Sequence, residues 1–233
     1  MRFIARLSFL LVCVFFLSNT PLHAQSLSPD TQPTEIATAL RVGIELEKQR
    51  QWLDAIRHYE SASKVFPSEG DIKRRLLISR LHYDVIRRSS DQSLSHIMRS
   101  VSTNDVLDLY SEVLARLEMS YVDVLPMTEV VRGGTAYLEV ALTEPCFVDE
   151  FLRGIDRQRL EQFRTSIHRL TLAKPTQNRF DARAVVSKAA DLAREQIGLS
   201  PSATVMQFVF GAVGLLDPYS SFLSSTELNE VES

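Results

Sequence analysis

Residues 39–67 read Ala-Leu-Arg-Val-Gly-Ile-Glu-Leu-Glu-Lys-Gln-Arg-Gln-Trp-Leu-Asp-Ala-Ile-Arg-His-Tyr-Glu-Ser-Ala-Ser-Lys-Val-Phe-Pro. Two amphipathic helices are written into this stretch. Ala39, Val42, Gly43 and Leu46 mark the inner face of the first, and Trp52, Ala55, Tyr59 and Ala62 that of the second. Gly43 and Ala55 are small enough to let two helix backbones approach, Tyr59 fills the wedge beside them, and Ala62 repeats the small-residue contact a turn later. Pro67 closes the unit. A single hairpin of this kind cannot bury its own faces. Residues 71–88, with Ile72, Leu76, Leu77, Leu81, Tyr83 and Val85, supply a third helix to cover it.

The steps from Gly43 to Ala55, Tyr59, Ala62 and Pro67 are 12, 4, 3 and 5 residues. This resembles the tetratricopeptide repeat, in which small residues sit where helices touch and Pro ends the unit. An ordinary helical hairpin that meets the spacing by chance is the alternative.

Toward the N-terminus, residues 25–33 (Gln-Ser-Leu-Ser-Pro-Asp-Thr-Gln-Pro) read as a flexible leader. Before them Arg2 and Arg6 precede an apolar run, Leu7 to Leu17. Pro21 then breaks the helix, and Leu22-His23-Ala24 offers a small residue at a cut. This is the pattern of a secretory signal peptide over residues 1–24, cleaved after Ala24. The alternative is an uncleaved N-terminal anchor, although the run is shorter than the roughly 20 apolar residues a span requires. Val12 in front of Cys13 argues against a lipid-attachment site. The expected location is the periplasm or cell envelope.

Removing Arg2 and Arg6 takes the net charge from −3 to −5, which gives no nucleic-acid footprint. Only five of the 26 basic residues are Lys. Pairing of Arg with Glu-rich helix faces explains this, and so does genomic composition. Cys146 alone survives processing, so no internal disulfide forms, and the thiol is expected to be a small buried hydrophobe.

Toward the C-terminus, residues 89–103 are rich in Ser and Thr and read as a linker with about one turn of helix around Leu94, Ile97 and Met98. A second helical region, residues 104–233, follows. Asn104 or Ser102 caps a helix bearing Val106, Leu107, Leu109, Tyr110, Val113, Leu114, Leu117 and Tyr121. Pro126 opens another through Leu142, and Gly133-Gly134 within it indicates a close helix crossing or a kink. Pro145 ends it. Helices are expected over 147–152, 156–172 and 181–197, with a polar loop at 173–180. Ser200-Pro201 is an N-cap with Pro at the first helical position. The following helix, Val205 to Leu216, is the most apolar after the leader and should lie at the centre of the core. No stretch alternates long enough for a sheet, so the fold class is all-α: a tetratricopeptide-like helical hairpin over residues 34–88 and an irregular multi-helix bundle.

The chain then reads Leu215-Leu216-Asp217-Pro218-Tyr219-Ser220-Ser221-Phe222-Leu223. Asp217-Pro218 stops the helix, Ser220 or Ser221 can bond nearby backbone in the turn, and Ser224 with Glu227 forms a capping box. An apolar helix ending in this motif resembles the region before the PDZ domain in carboxy-terminal processing (tail-specific) proteases. Tyr121-Val122-Asp123 fits a second element of that family. The likeness spans roughly residues 104–231, and the long insert from Thr135 to Arg183 departs from the family's short spacer. The resemblance implies a serine endopeptidase family with a Ser-Lys dyad in a domain beyond the PDZ. The family's Ser-Ala-x-Glu nucleophile context does not occur in this sequence.

No catalytic, cofactor-binding or metal-ligating residues are therefore assigned. Asp217 and Ser220 are explained by the turn. His58, His82, His96 and His168 are expected to be solvated, as are the acidic pairs Glu45/Glu47, Asp149/Glu150 and Glu230/Glu232. No Gly-x-Ser-x-Gly elbow, His-Glu-x-x-His, Cys-x-x-Cys or Gly-x-Gly-x-x-Gly is found. The expected role is the non-catalytic front of a protease-like protein, which extending the reading frame past Ser233 would test. It would self-associate or dock to a PDZ-peptidase unit, without nucleic acid, and without membrane once the signal is removed. A helical adaptor binding proteins or peptides near Trp52 and Tyr59 is the alternative, and an unrecognised hydrolase using Cys146 a third. If residues 1–24 are a cleaved signal, mass spectrometry of the exported protein should find Gln25 as its first residue. An N-terminus at Met1 would establish the anchor instead.

Overall fold

The computed structural model describes residues 32–120, 126–173 and 175–214. Within them the chain is all-helical, with ten helices and no strand. The first three are α1 (Gln32–Lys48), α2 (Trp52–Val65) and α3 (Gly70–Ser89). The rest are α4 (Gln92–Ser100), α5 (Thr103–Ser120), α6 (Met127–Ala141), α7 (Pro145–Phe151), α8 (Arg157–Leu172), α9 (Arg179–Ile197) and α10 (Pro201–Val213). The signal-like residues 1–24, the leader as far as residue 31, Tyr121-Val122-Asp123, and the Asp217-Pro218 motif with its capping box lie outside the described residues; Gln32 and Pro33, expected to be leader, begin α1.

Two apolar clusters form, and the division between them falls within α3. The smaller gathers Ala55, Tyr59, Ala62, Phe66 and Ile72, with Ala39, Leu40, Leu46 and Leu76 packed against it. Gly43 belongs here because a Cβ at that position would lie 2.2 Å from the Tyr59 ring. The larger cluster takes Val85 from the second half of α3 and runs through α4 to α10. Two residues expected inward on α3, Leu77 and Tyr83, are exposed.

Residues 89–103 differ from the expected linker. They carry α4, nine residues long, with Asp91 accepting from the Ser93 and Leu94 amides at its start. Leu94 and Met98 are buried in the larger core. Ser and Thr content suggested a loop, but Gln92, His96, Arg99 and Ser100 are exposed while Leu94 and Met98 are buried, which is an amphipathic helix. Ser102, and not Asn104, caps α5, its hydroxyl accepting from the Asp105 amide.

Helix α10 is the centre of the bundle, as its composition indicates. Every residue from Ser202 to Val213 is buried. It packs on α6, α5, α9 and α4. Ser200 caps it, accepting from the Ala203 amide at 3.0 Å and donating to the Met98 carbonyl at 2.6 Å. Ser202 donates to the Val101 carbonyl at 2.7 Å. The unpaired carbonyls at the end of α4 are thus served by hydroxyls at the start of α10.

The Gly133-Gly134 pair marks a crossing. A Cβ on Gly134 would fall 2.3 Å from the Phe208 ring, and one on Gly211 2.4 Å from the Gly134 Cα. No rotamer change relieves a clash with backbone, so α6 and α10 would have to separate. Gly211→Ala is expected to cost about 3 kcal/mol in urea unfolding, the upper part of the overpacking range. A loss under about 1 kcal/mol would show that the helices are not in this contact.

Candidate functional site

His82, which sequence reading placed in solvent, joins Arg50, Trp52 and Glu144 instead. Helix α1 ends in a Schellman turn: the Arg50 amide donates to the Glu47 carbonyl at 2.9 Å and the Gln51 amide to the Leu46 carbonyl at 3.0 Å. That turn puts Arg50 at φ 56°, the left-handed region where glycine is usual. From there its guanidinium donates to Glu144 Oε2 at 2.7 Å and to the Thr143 carbonyl at 3.2 Å. Glu144 precedes Pro145 in the α6–α7 turn, and its side chain is 1% exposed. Its other oxygen, Oε1, pairs with His82 Nδ1 from α3. The His82 ring stacks on Trp52 at the start of α2, with centroids 3.9 Å apart and planes 7° from parallel. Arg50 and His82, from two separate segments, thus close on one carboxylate, with Trp52 stacked against His82.

A second cluster follows on the same helix. Asp84 accepts from the Tyr137 hydroxyl of α6, from Arg88 Nε at 2.7 Å and from Arg87 Nη2 at 3.0 Å. The Arg88 guanidinium lies over the Phe210 ring of α10, 4.3 Å from its centroid. Burial is the largest influence on Asp84 and pushes its carboxyl upward. Arg88, the Tyr137 hydroxyl and Arg87 overcome this and hold it below its ordinary value. Tyr137 is driven well above the ordinary phenol range, first by burial and then by the Asp84 charge.

Several expectations are corrected by this geometry. His82 is largely enclosed, and His58 bonds the Ala39 carbonyl at 2.7 Å; His96 and His168 are exposed as expected. Glu47 is not solvated, since it accepts from the Tyr59 hydroxyl at 2.7 Å and from Arg75 at 2.6 Å. Cys146 is exposed, not buried. It sits one residue past Pro145 at the outer start of α7, where Phe147 takes the inward position. Trp52 and Tyr59 are both buried, so neither is a free surface for a peptide.

Glu144 was not singled out by sequence because it stands alone between Thr143 and Pro145, with no periodic signal. Chemically the cluster is a charge-neutralising clamp: each carboxylate oxygen is already engaged by a donor. Outside it, the same α6–α7 turn borders a cleft of about 510 Å³ with Leu142, Val148, Ile155 and Leu160 among its lining residues. Among the described residues no group of three His, Cys, Asp or Glu is placed to hold a metal ion. Compared with known protein families, curated proteins and solved structures, the chain matches none.

Because the folded Asp84 carboxyl is held below its unfolded value, its contribution is complete above the unfolded value and disappears as pH falls through the folded one. Wild-type stability should therefore decline on acidification below about pH 4. In Asp84→Asn this part of the acid limb should flatten, and stability at pH 7 should be lower. Urea titrations of both proteins between pH 2 and 7 measure it; parallel curves would refute the role of Asp84.

Proposed function

We propose that this chain is the exported, non-catalytic front portion of a carboxy-terminal processing protease-like protein, serving to hold or gate a PDZ-peptidase unit. The observation that carries this reading is the run from α10 into Leu215–Leu223. The motif resembling the protease family follows directly on a helix buried along its whole length. A helix enclosed in this way is a rigid element, and a rigid element suits a module that presents another domain.

The adaptor reading has its own support. Val42, Leu53, Val65 and Leu77 of the small lobe are exposed apolar side chains. They would serve a protein partner in place of the buried Trp52 and Tyr59.

The two readings separate in one experiment. The purified protein is mixed with a PDZ-peptidase unit of a carboxy-terminal processing protease from the same cells, using a peptide with an apolar tail as substrate. The first reading expects the chain alone to leave the peptide intact, to co-elute with the peptidase and to change its cleavage rate severalfold. Tyr219→Ala should weaken that effect. Co-elution lost in Leu77→Asp but kept in Tyr219→Ala would favour the adaptor. Cleavage by the chain alone would overturn both.

A further inference from the structure

We infer that the small lobe is a movable arm, held in one position on the bundle by the buried Glu144 clamp. This goes beyond the protease reading and does not depend on it. The lobe has its own apolar cluster, and the larger cluster begins only in the second half of α3. Helices α1 and α2 pack on each other and on α3. The covalent link between lobes is thus one continuous helix, and long helices curve gently rather than staying straight. Across the gap, the tie is polar: Arg50 and Trp52 on the arm, His82 on α3, and Glu144 on the bundle.

Such a clamp has two discrete states. Closed, both carboxylate oxygens are engaged and the charge is tolerated; with a partner removed, a buried carboxylate is strongly disfavoured and the cheapest response is to let water in. The Arg50 side chain is 47% exposed, so the clamp can open from its solvent side. Its backbone supports a selected role. Glycine would end α1 without strain, yet this position holds an arginine whose side chain spans 94 residues of sequence to Glu144. Strain of this kind persists where surrounding contacts over-determine it.

The test uses the full chain with Cys13→Ser and Cys146→Ser, spin-labelled at Val65→Cys on the arm and Phe180→Cys on the bundle, both exposed positions. The parent should give one narrow distance distribution. Glu144→Gln should broaden it at least about twofold or add a second population. Amide exchange in α1 and α2 should rise about tenfold or more, with α6 and α10 unchanged. Arg50→Gly relieves the left-handed backbone and should loosen the arm in the same way, and it carries the test if Glu144→Gln does not fold. An unchanged distance distribution, or exchange that rises equally in α6 and α10, would overturn the proposal.

Discussion

Helices α6 and α10 cross with almost nothing between their backbones, and the packing of the larger lobe follows from that approach. Gly134 and Gly211 face one another at the crossing, with Phe208 against Gly134. Once the two axes are this near, α10 has no open side. Helices α4, α5 and α9 cover what α6 leaves. Burial of a whole helix is possible because its side chains are apolar or find carbonyls: Gln207 and Thr204 donate to carbonyls one turn earlier, and Ser202 to Val101. A polar side chain satisfied within its own helix adds no unpaired group to the core.

The charged groups that matter are few. Pairs such as Arg116 with Glu112, Arg132 with Glu129 and Arg164 with Glu161 lie on exposed helix faces. Each is worth only a few tenths of a kcal/mol. Glu144, which is buried, and Asp84, which is half-buried, differ because each has several donors. There the larger effect is the penalty for leaving a carboxylate unpaired, so these contacts specify geometry more than they add net stability. Both involve α3, the helix common to the two apolar clusters. The arginine-rich composition is thus used in two ways: as pairing along single helices, and, at Arg50, Arg75, Arg80, Arg99, Arg179 and Arg183 among others, as ties between segments. Arg183 of α9 reaches Ser111 at 2.7 Å and Asp108 at 2.8 Å on α5.

Helical periodicity alone identified the helices and the centrality of α10, because a 3.6-residue apolar repeat depends only on local geometry. The same holds for the Ser200 cap, whose partner is three residues away. The Gly133-Gly134 pair signalled a special contact, although two glycines cannot say whether a helix bends or meets a neighbour. Residues 89–103 were obscured because serine is frequent both in loops and on solvated helix faces, and the pattern there is only three apolar residues long. His58, His82 and Glu47 were misjudged for another reason. A polar residue on an amphipathic helix reads as solvated unless its distant partner is known.

The amino-acid order by itself determined that the chain is helical, where most helices lie, and which of them is apolar enough to be enclosed. These are properties of spacing and transfer free energy within about twenty residues. Tertiary structure alone decided which helix α10 meets, where the apolar core divides, and that Glu144, Arg50, His82 and Trp52 converge. Those outcomes depend on contacts between segments up to about a hundred residues apart, and no local pattern encodes a distance through space.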